Sequence, residues 1–234
     1  MHVLVQRTAL WLVCLSFLLV ALVPAAALAA CNSKPGPNVD WSRCQKVRLI
    51  LRGANLSGAN MERVDLSSSD LMGANLEGAN LANAAFTQAR FKQANLRAVN
   101  LTKGFGNRVN FEEADLSGAD LTKAELPRAN LARADLTNAD VSKADLSRVA
   151  LTGARLTGAN LQKALLARAD FSATLLDGAD FTGAYTLLTR FAGTDLSAAV
   201  GLTQDQLDDA CGDDATKLPA GLQKPTDWPC PAEE

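Results

Sequence analysis

The stretch ADLTNADVSKADLSRVALTGARL, Ala134 to Leu156, repeats itself every five residues. Leu136, Val141, Leu146, Leu151 and Leu156 are its aliphatic members, and two residues before each stands Ala134, Ala139, Ala144, Val149 or Ala154. Neither regular element fits this period. Five residues advance an α-helix by about 500°, so the apolar residues would smear round the cylinder. In a strand, alternate repeats would face opposite sides. A backbone that turns a corner every five residues keeps all of them inward. Four such sides close a square turn of about 20 residues, and the remaining positions face water.

The pattern runs unbroken from Leu51 to Leu196, 30 positions without insertion or deletion, of which 28 are Leu, Phe, Met or Val. Gly106 and Thr186 are the exceptions. Two residues earlier 20 of the 30 are Ala, and one residue earlier 19 are Asn or Asp, types that suit turn corners. A 20-residue turn demands that outer positions correlate at that spacing, and they do. Lys103, Lys123, Lys143 and Lys163 form one column and Arg108, Arg128, Arg148 and Arg168 another. A third column, Gly58, Gly78, Ala98, Gly118, Asn138, Gly158, Gly178 and Ala198, carries no charge. Phe91, Phe111, Phe171 and Phe191 share one side. Gly106 should leave a hole in the inward stack between Phe86 and Leu126: Phe105 turns in to fill it, the side bulges, or the spot is a tolerated defect of the repeat.

The run A-(N/D)-L-x-x, as in Ala54-Asn55-Leu56-Ser57-Gly58 and Ala119-Asp120-Leu121-Thr122-Lys123, resembles the pentapeptide-repeat proteins. The resemblance implies an all-β fold, a right-handed quadrilateral β-helix over residues 51–200. Residues 31–50 and 201–234, each with one Trp and two Cys, are similar to the end segments of exported members, and they are expected to cap the apolar ends of the solenoid. Thr203-Gln204-Asp205-Gln206 is a capping-box pattern that opens a short helix through Leu207.

Residues 1–30 read as a signal peptide. Arg7 precedes an apolar run from Thr8 to about Val23, and small residues around Ala26 to Ala30 follow Pro24. This predicts an exported protein, periplasmic or secreted. Cys14 leaves with the signal, and Cys31, Cys44, Cys211 and Cys230 remain, an even set that suits two disulfides. If the caps lie at opposite ends, cross-pairing is too long, which leaves Cys31–Cys44 and Cys211–Cys230. Leu28-Ala29-Ala30-Cys31 also looks like a lipobox, which would instead make Cys31 the anchor of a lipid-attached envelope protein.

Catalysis is not expected. The sole histidine, His2, lies in the signal. No C-x-x-C pair or phosphate-cradling glycine loop occurs, so no metal, cofactor or small-molecule substrate is implied. Asp115, Asp120, Asp135, Asp140 and Asp145 could pair for acid–base work, but they occupy the repeat's turn position. The candidate functional surface is the pair of basic columns, Lys103, Arg108, Lys123, Arg128, Lys143, Arg148, Lys163 and Arg168, as a site for an anionic partner. Asp120, Glu125, Asp140 and Asp145 should neutralise it in part.

The expected protein is an exported, non-catalytic scaffold or binding rod whose partner is an unknown protein or an anionic envelope component. Some family members mimic DNA and protect type II topoisomerases. That role needs a strongly acidic rod, whereas the 150 repeat residues hold 16 basic and 16 acidic side chains, which argues against DNA-related partners. Residues 31–50 carry four basic residues to one acidic and residues 201–234 two to eight, an asymmetry that would suit a head-to-tail homo-oligomer through the ends.

Overall fold

The computed structural model describes residues 31–229. Residues 1–30, read above as a signal peptide, and Cys230 lie outside them. From residue 36 to residue 200 the backbone repeats one unit of a two-residue turn followed by a single bridge residue. Asp40 pairs in parallel with Asn60, Gln45 with Asp65, Ile50 with Asp70 and Asn55 with Asn75. The same register, each bridge to the residue twenty further on, continues as far as Asp180 with Val200. Four ladders result. The first runs Asp40 to Val200, the second Gln45 to Tyr185, the third Ile50 to Arg190 and the fourth Asn55 to Asp195.

One pentad shows how the coil is held. Leu136 N–H donates to Arg155 O at 2.7 Å, and Arg155 N–H donates back to Ala134 O at 3.0 Å, closing the parallel bridge. Ala139 N–H donates to Leu136 O at 3.0 Å, closing a turn whose third residue, Asn138, has φ +57°, as a type II turn requires. Asp135 Oδ1 accepts the Thr137 N–H at 2.9 Å, so the repeat's Asn/Asp position fastens the turn that follows it.

Every central residue from Leu51 to Leu196 is buried. The small residue before it is the second inward position. Where that position is Ser69, Thr174, Thr189 or Thr194, the hydroxyl donates to a carbonyl of the coil beneath, Lys46, Leu151, Leu166 or Phe171 respectively, at 2.7–2.9 Å. Among the described residues no buried side-chain polar atom lacks a partner. Phe91 stacks on Phe111 with centroids 5.1 Å apart, and Phe86 meets both rings edge-on. Phe171, Phe181 and Phe191 form a second cluster.

The Gly106 expectation is corrected. Phe105 is 47% exposed and does not turn in. The side does not bulge either, because Ala85, Phe105 and Glu125 stay in ladder register. Phe86, from the coil beneath, leans its ring into the space. A Cβ built at Gly106 would overlap Phe86 Cδ2 and Cε2, and one at Gly104 would lie 2.9 Å from Phe86 Cε1. Glycine at both positions makes room for an aromatic ring.

The pentad rhythm starts before the aliphatic count does. Trp41 stands at a central position and Cys44 at a small one, each 1% exposed. Lys46 takes the next central position. Its Nζ donates to Cys31 O at 2.6 Å and lies 4.0 Å over the Trp41 ring, and burial lowers its pKa. The Cys31–Cys44 disulfide is present, as the pairing predicts. It engages the sulfur that the lipid-anchored alternative requires free. Cys211 is also disulfide-bonded.

Past Val200 the register lengthens, Arg190 pairing with Cys211 and Asp195 with Lys217. Helix α1, Gln204–Asp208, fills the interruption, with a complete capping box between Thr203 and Gln206. Leu207 is buried, and the Trp228 ring packs against Gly212 with its Nε1 donating to Ala210 O at 2.8 Å. Thr186 is explained by this helix. Its hydroxyl donates to Gln206 O at 2.7 Å, and Gln206 Nε2 donates to Phe181 O and Ala184 O. The second break in the aliphatic column is a docking point.

Candidate functional site

All eight cations of the two columns stand at the third residue of their turns, with φ between +55° and +60°. At other corners that position holds glycine, as at Gly53, Gly58 and Gly73, or a residue such as Asn83, Gln88, Ala98 or Glu113. The left-handed region costs an L-residue with a Cβ roughly 1–2 kcal/mol relative to its usual basin. The Lys column follows the first ladder and the Arg column the second, so they edge the same face from either side. Lys123 N–H donates to Ser142 O at 3.0 Å and Arg128 N–H to Ser147 O at 2.9 Å, which places each column cation beneath the next, one rung of about 4.8 Å away.

All eight side chains are exposed. None makes an ion pair or side-chain hydrogen bond among the described residues. Asp120, Glu125, Asp140 and Asp145, expected to neutralise the columns in part, lie beside them without a direct ion pair. Asp120, Asp140 and Asp145 each turn Oδ1 to the backbone N–H two residues on, Thr122, Ser142 and Ser147, at 2.9 Å. Burial pushes the Asp120 carboxyl up, but bonds from Thr122 and Thr102 outweigh it and hold it below its ordinary 3.8. Asp115 and Asp135 fasten their own turns in the same way. These carboxylates are turn fasteners spread over separate pentads.

The third and fourth ladders differ. Arg52 pairs with Asp70 at 2.6 Å, Lys92 with Glu112 at 3.1 Å, Arg97 with Asp115 at 3.4 Å and Arg155 with Asp135 at 3.8 Å. Arg133 is held by both Glu112 and Glu113. A shallow groove of about 510 Å³ beside the fourth ladder is lined by Arg97, Ser117, Asp135 and Arg155, and both arginines are paired there. Unpaired charge is concentrated on the face of the second ladder, which Arg43 and Arg48 extend toward the N-terminus.

Apolar side chains share that face. Phe105, Leu165 and Tyr185 stand in the bridge column of the second ladder, 46–47% exposed, and Leu187 and Leu188 occupy the corner after Tyr185. The signal was present, since these are departures from Asn or Asp at the bridge position. Among the described residues no group of three or more His, Cys, Asp or Glu is placed to hold a metal ion, and no helix is long and apolar enough to cross a membrane.

A coil of fastened pentads in parallel register defines a β-solenoid protein. The family model for pentapeptide repeats matches in 8 copies, over residues 50–88, 74–105, 114–153 and 144–183. The chain belongs to the pentapeptide-repeat family, whose coil is a right-handed β-helix. No curated protein sequence matches it significantly. A trypsin-treated form of QnrB1, a plasmid-mediated fluoroquinolone resistance protein, superposes with TM-score 0.60 over 77% of this chain and 86% of its own, at 18% identity. That likeness shows the fold. HetL, involved in heterocyst differentiation regulation in the cyanobacterium Nostoc sp. strain PCC 7120, is 27% identical over 82% of this chain and 96% of its own, with TM-score 0.41. A pentapeptide repeat protein of the Arabidopsis thaliana thylakoid lumen is 29% identical over 54% of this chain and 76% of its own, with TM-score 0.35.

Proposed function

We propose that the chain is an exported, non-catalytic binding rod of square cross-section, closed at its C-terminal end by the α1 segment, that engages an anionic partner through the face between the Lys and Arg columns. One observation carries the reading. Eight cations on this face are left unpaired at backbone positions where glycine costs less, while Arg52, Lys92, Arg97, Arg133 and Arg155 elsewhere are matched to carboxylates. Stacked like charges repel, so the columns lower stability and contribute only when something negative meets them. A mimic of duplex DNA would need the opposite sign on its surface.

Replacing Lys123, Arg128, Lys143 and Arg148 by Gln is expected to weaken binding to heparin, a soluble polyanion, at least about tenfold, each exposed pair being worth up to about 1 kcal/mol. The melting temperature should hold or rise, because repulsion is removed. Undiminished heparin binding by the fourfold variant would dismiss the face as a binding site. Export rests on the n-region, h-region and small-residue pattern of residues 1–30. Intact mass of the exported protein should correspond to a chain starting at Cys31, unacylated and oxidised; a retained leader or a lipid adduct on Cys31 contradicts this.

A further inference from the structure

We infer that the anionic partner is a lipid bilayer, and that the face docks with Leu165, Tyr185, Leu187 and Leu188 in the headgroup region while the Lys and Arg columns meet lipid phosphates. The inference rests on the anion-binding reading of the same face and names its partner.

Exposed apolar residues are distributed unevenly on this molecule. Nine large hydrophobics are exposed among the described residues: Val47, Ile50, Phe105, Leu165, Leu175, Tyr185, Leu187, Leu188 and Val200. All but Ile50, Leu175 and Val200 stand on the second ladder or the corner that follows it, the face that carries the unpaired cations. Leu188 is the sharpest case. It continues the Arg column, one rung beyond Arg168, and has φ +54°. It is 36% exposed and lies outside the packed core. A leucine there bears the left-handed steric cost that glycine escapes and still leaves over a third of its surface in water.

A soluble polyanion would use the cations and leave the leucines wet. A purely apolar partner would strand the cations. A layered partner, negative at its surface and apolar just beneath, uses both sets. Interfacial docking by other proteins combines the same two ingredients, basic side chains at the phosphate level and aromatic or aliphatic side chains below it, whose contributions add. Tyr185 suits the boundary because its ring is apolar and its hydroxyl can stay hydrated. Asp65, Glu125 and Asp145 stand in the bridge column of the face, Asp145 paired directly with Leu165, and exposed Asp208 and Asp209 lie at the cap beside Leu188; the eight cations outnumber these five carboxylates.

The chain from Cys31 onward holds the whole of the bridged coil and is the form to test. In the variant Leu165→Asn, Tyr185→Asn, Leu187→Ser, Leu188→Gly, the two Asn substitutions place at these bridges a residue common at the bridge position of the other ladders, and the glycine suits the left-handed corner. Its melting temperature is therefore expected to match or exceed that of the parent. The parent should bind vesicles of phosphatidylcholine containing phosphatidylglycerol and not vesicles of phosphatidylcholine alone. The variant should lose at least about tenfold in affinity for the mixed vesicles and bind heparin as the parent does. Equal vesicle binding by parent and variant overturns the inference. A parent that binds heparin but not the mixed vesicles also overturns it, and leaves the anion-binding reading standing; a parent that binds neither removes both.

Discussion

Aspartate at Leu136 is expected to unfold the solenoid at ordinary temperature, while aspartate at the adjacent Thr137 leaves its melting temperature within a few degrees. Leu136 is fully buried, and the central positions of the coils on either side of it are Leu116 and Leu156, also fully buried. Truncating such a leucine to alanine costs about 2–5 kcal/mol. A carboxylate adds a desolvation cost of several kcal/mol, because the backbone amides around it already serve the ladders and its buried neighbours among the described residues are apolar. Together these approach the entire stability of a typical domain, about 5–15 kcal/mol. Thr137, one residue on, faces water. Its replacement loses the hydroxyl bond to Asp135 and places a second carboxylate nearby, a cost of about 1 kcal/mol. Thermal melts followed by circular dichroism separate the two, and equal midpoints would contradict the inward assignment. Damage should spread, because each coil is stabilised mainly by its neighbours and a disrupted middle coil leaves two fragments with open apolar ends.

The coil was legible in the sequence because every pentad restates the same instruction. The parallel bridges at twenty-residue spacing are the outer columns of Lys and Arg seen in space. What escaped depends on contacts between pentads. The coil's start was hidden because Trp41 and Lys46 are not aliphatic. Lys46 can stand at a central position only because the coil is the first and its ammonium finds Cys31 O and the Trp41 ring. The left-handed backbone beneath the basic columns had a visible signal, glycine at the same pentad position in other corners, but column charge drew the reading instead. Ion pairing was unreadable for a different reason. Asp120 and Asp145 lie near the cations in sequence, yet their oxygens are committed to their own turns, and spacing alone does not reveal which way a carboxylate faces. Thr186 carries no signal of its role in the pentad pattern, because its partner, Gln206 O, lies in α1 beyond the repeat.

Gly106 is where sequence and structure demand opposite outcomes. The repeat invites Gly106→Leu as a repair that fills an empty central position, and on that view the change stabilises the protein. In the structure the position is already occupied. The Phe86 ring lies where a Cβ at Gly106 would project, and Val109 Cγ1 would be 3.2 Å away on another side. Gly104, one small position earlier, is also needed for the ring. Gly106→Leu is therefore expected to destabilise by about 3 kcal/mol, the upper range for overpacking a full core. Phe86→Leu alone empties the space above both glycines and strips the edge contacts to Phe91 and Phe111, at a cost of about 1–3 kcal/mol. Combining the two restores leucine over leucine, so each change removes the other's defect. The double variant should recover more than half of the summed loss in urea denaturation, a coupling that only residues in direct contact produce. A Gly106→Leu protein more stable than the parent would mean that the ring does not fill that space. A merely additive double variant would mean that Phe86 and Gly106 do not share it.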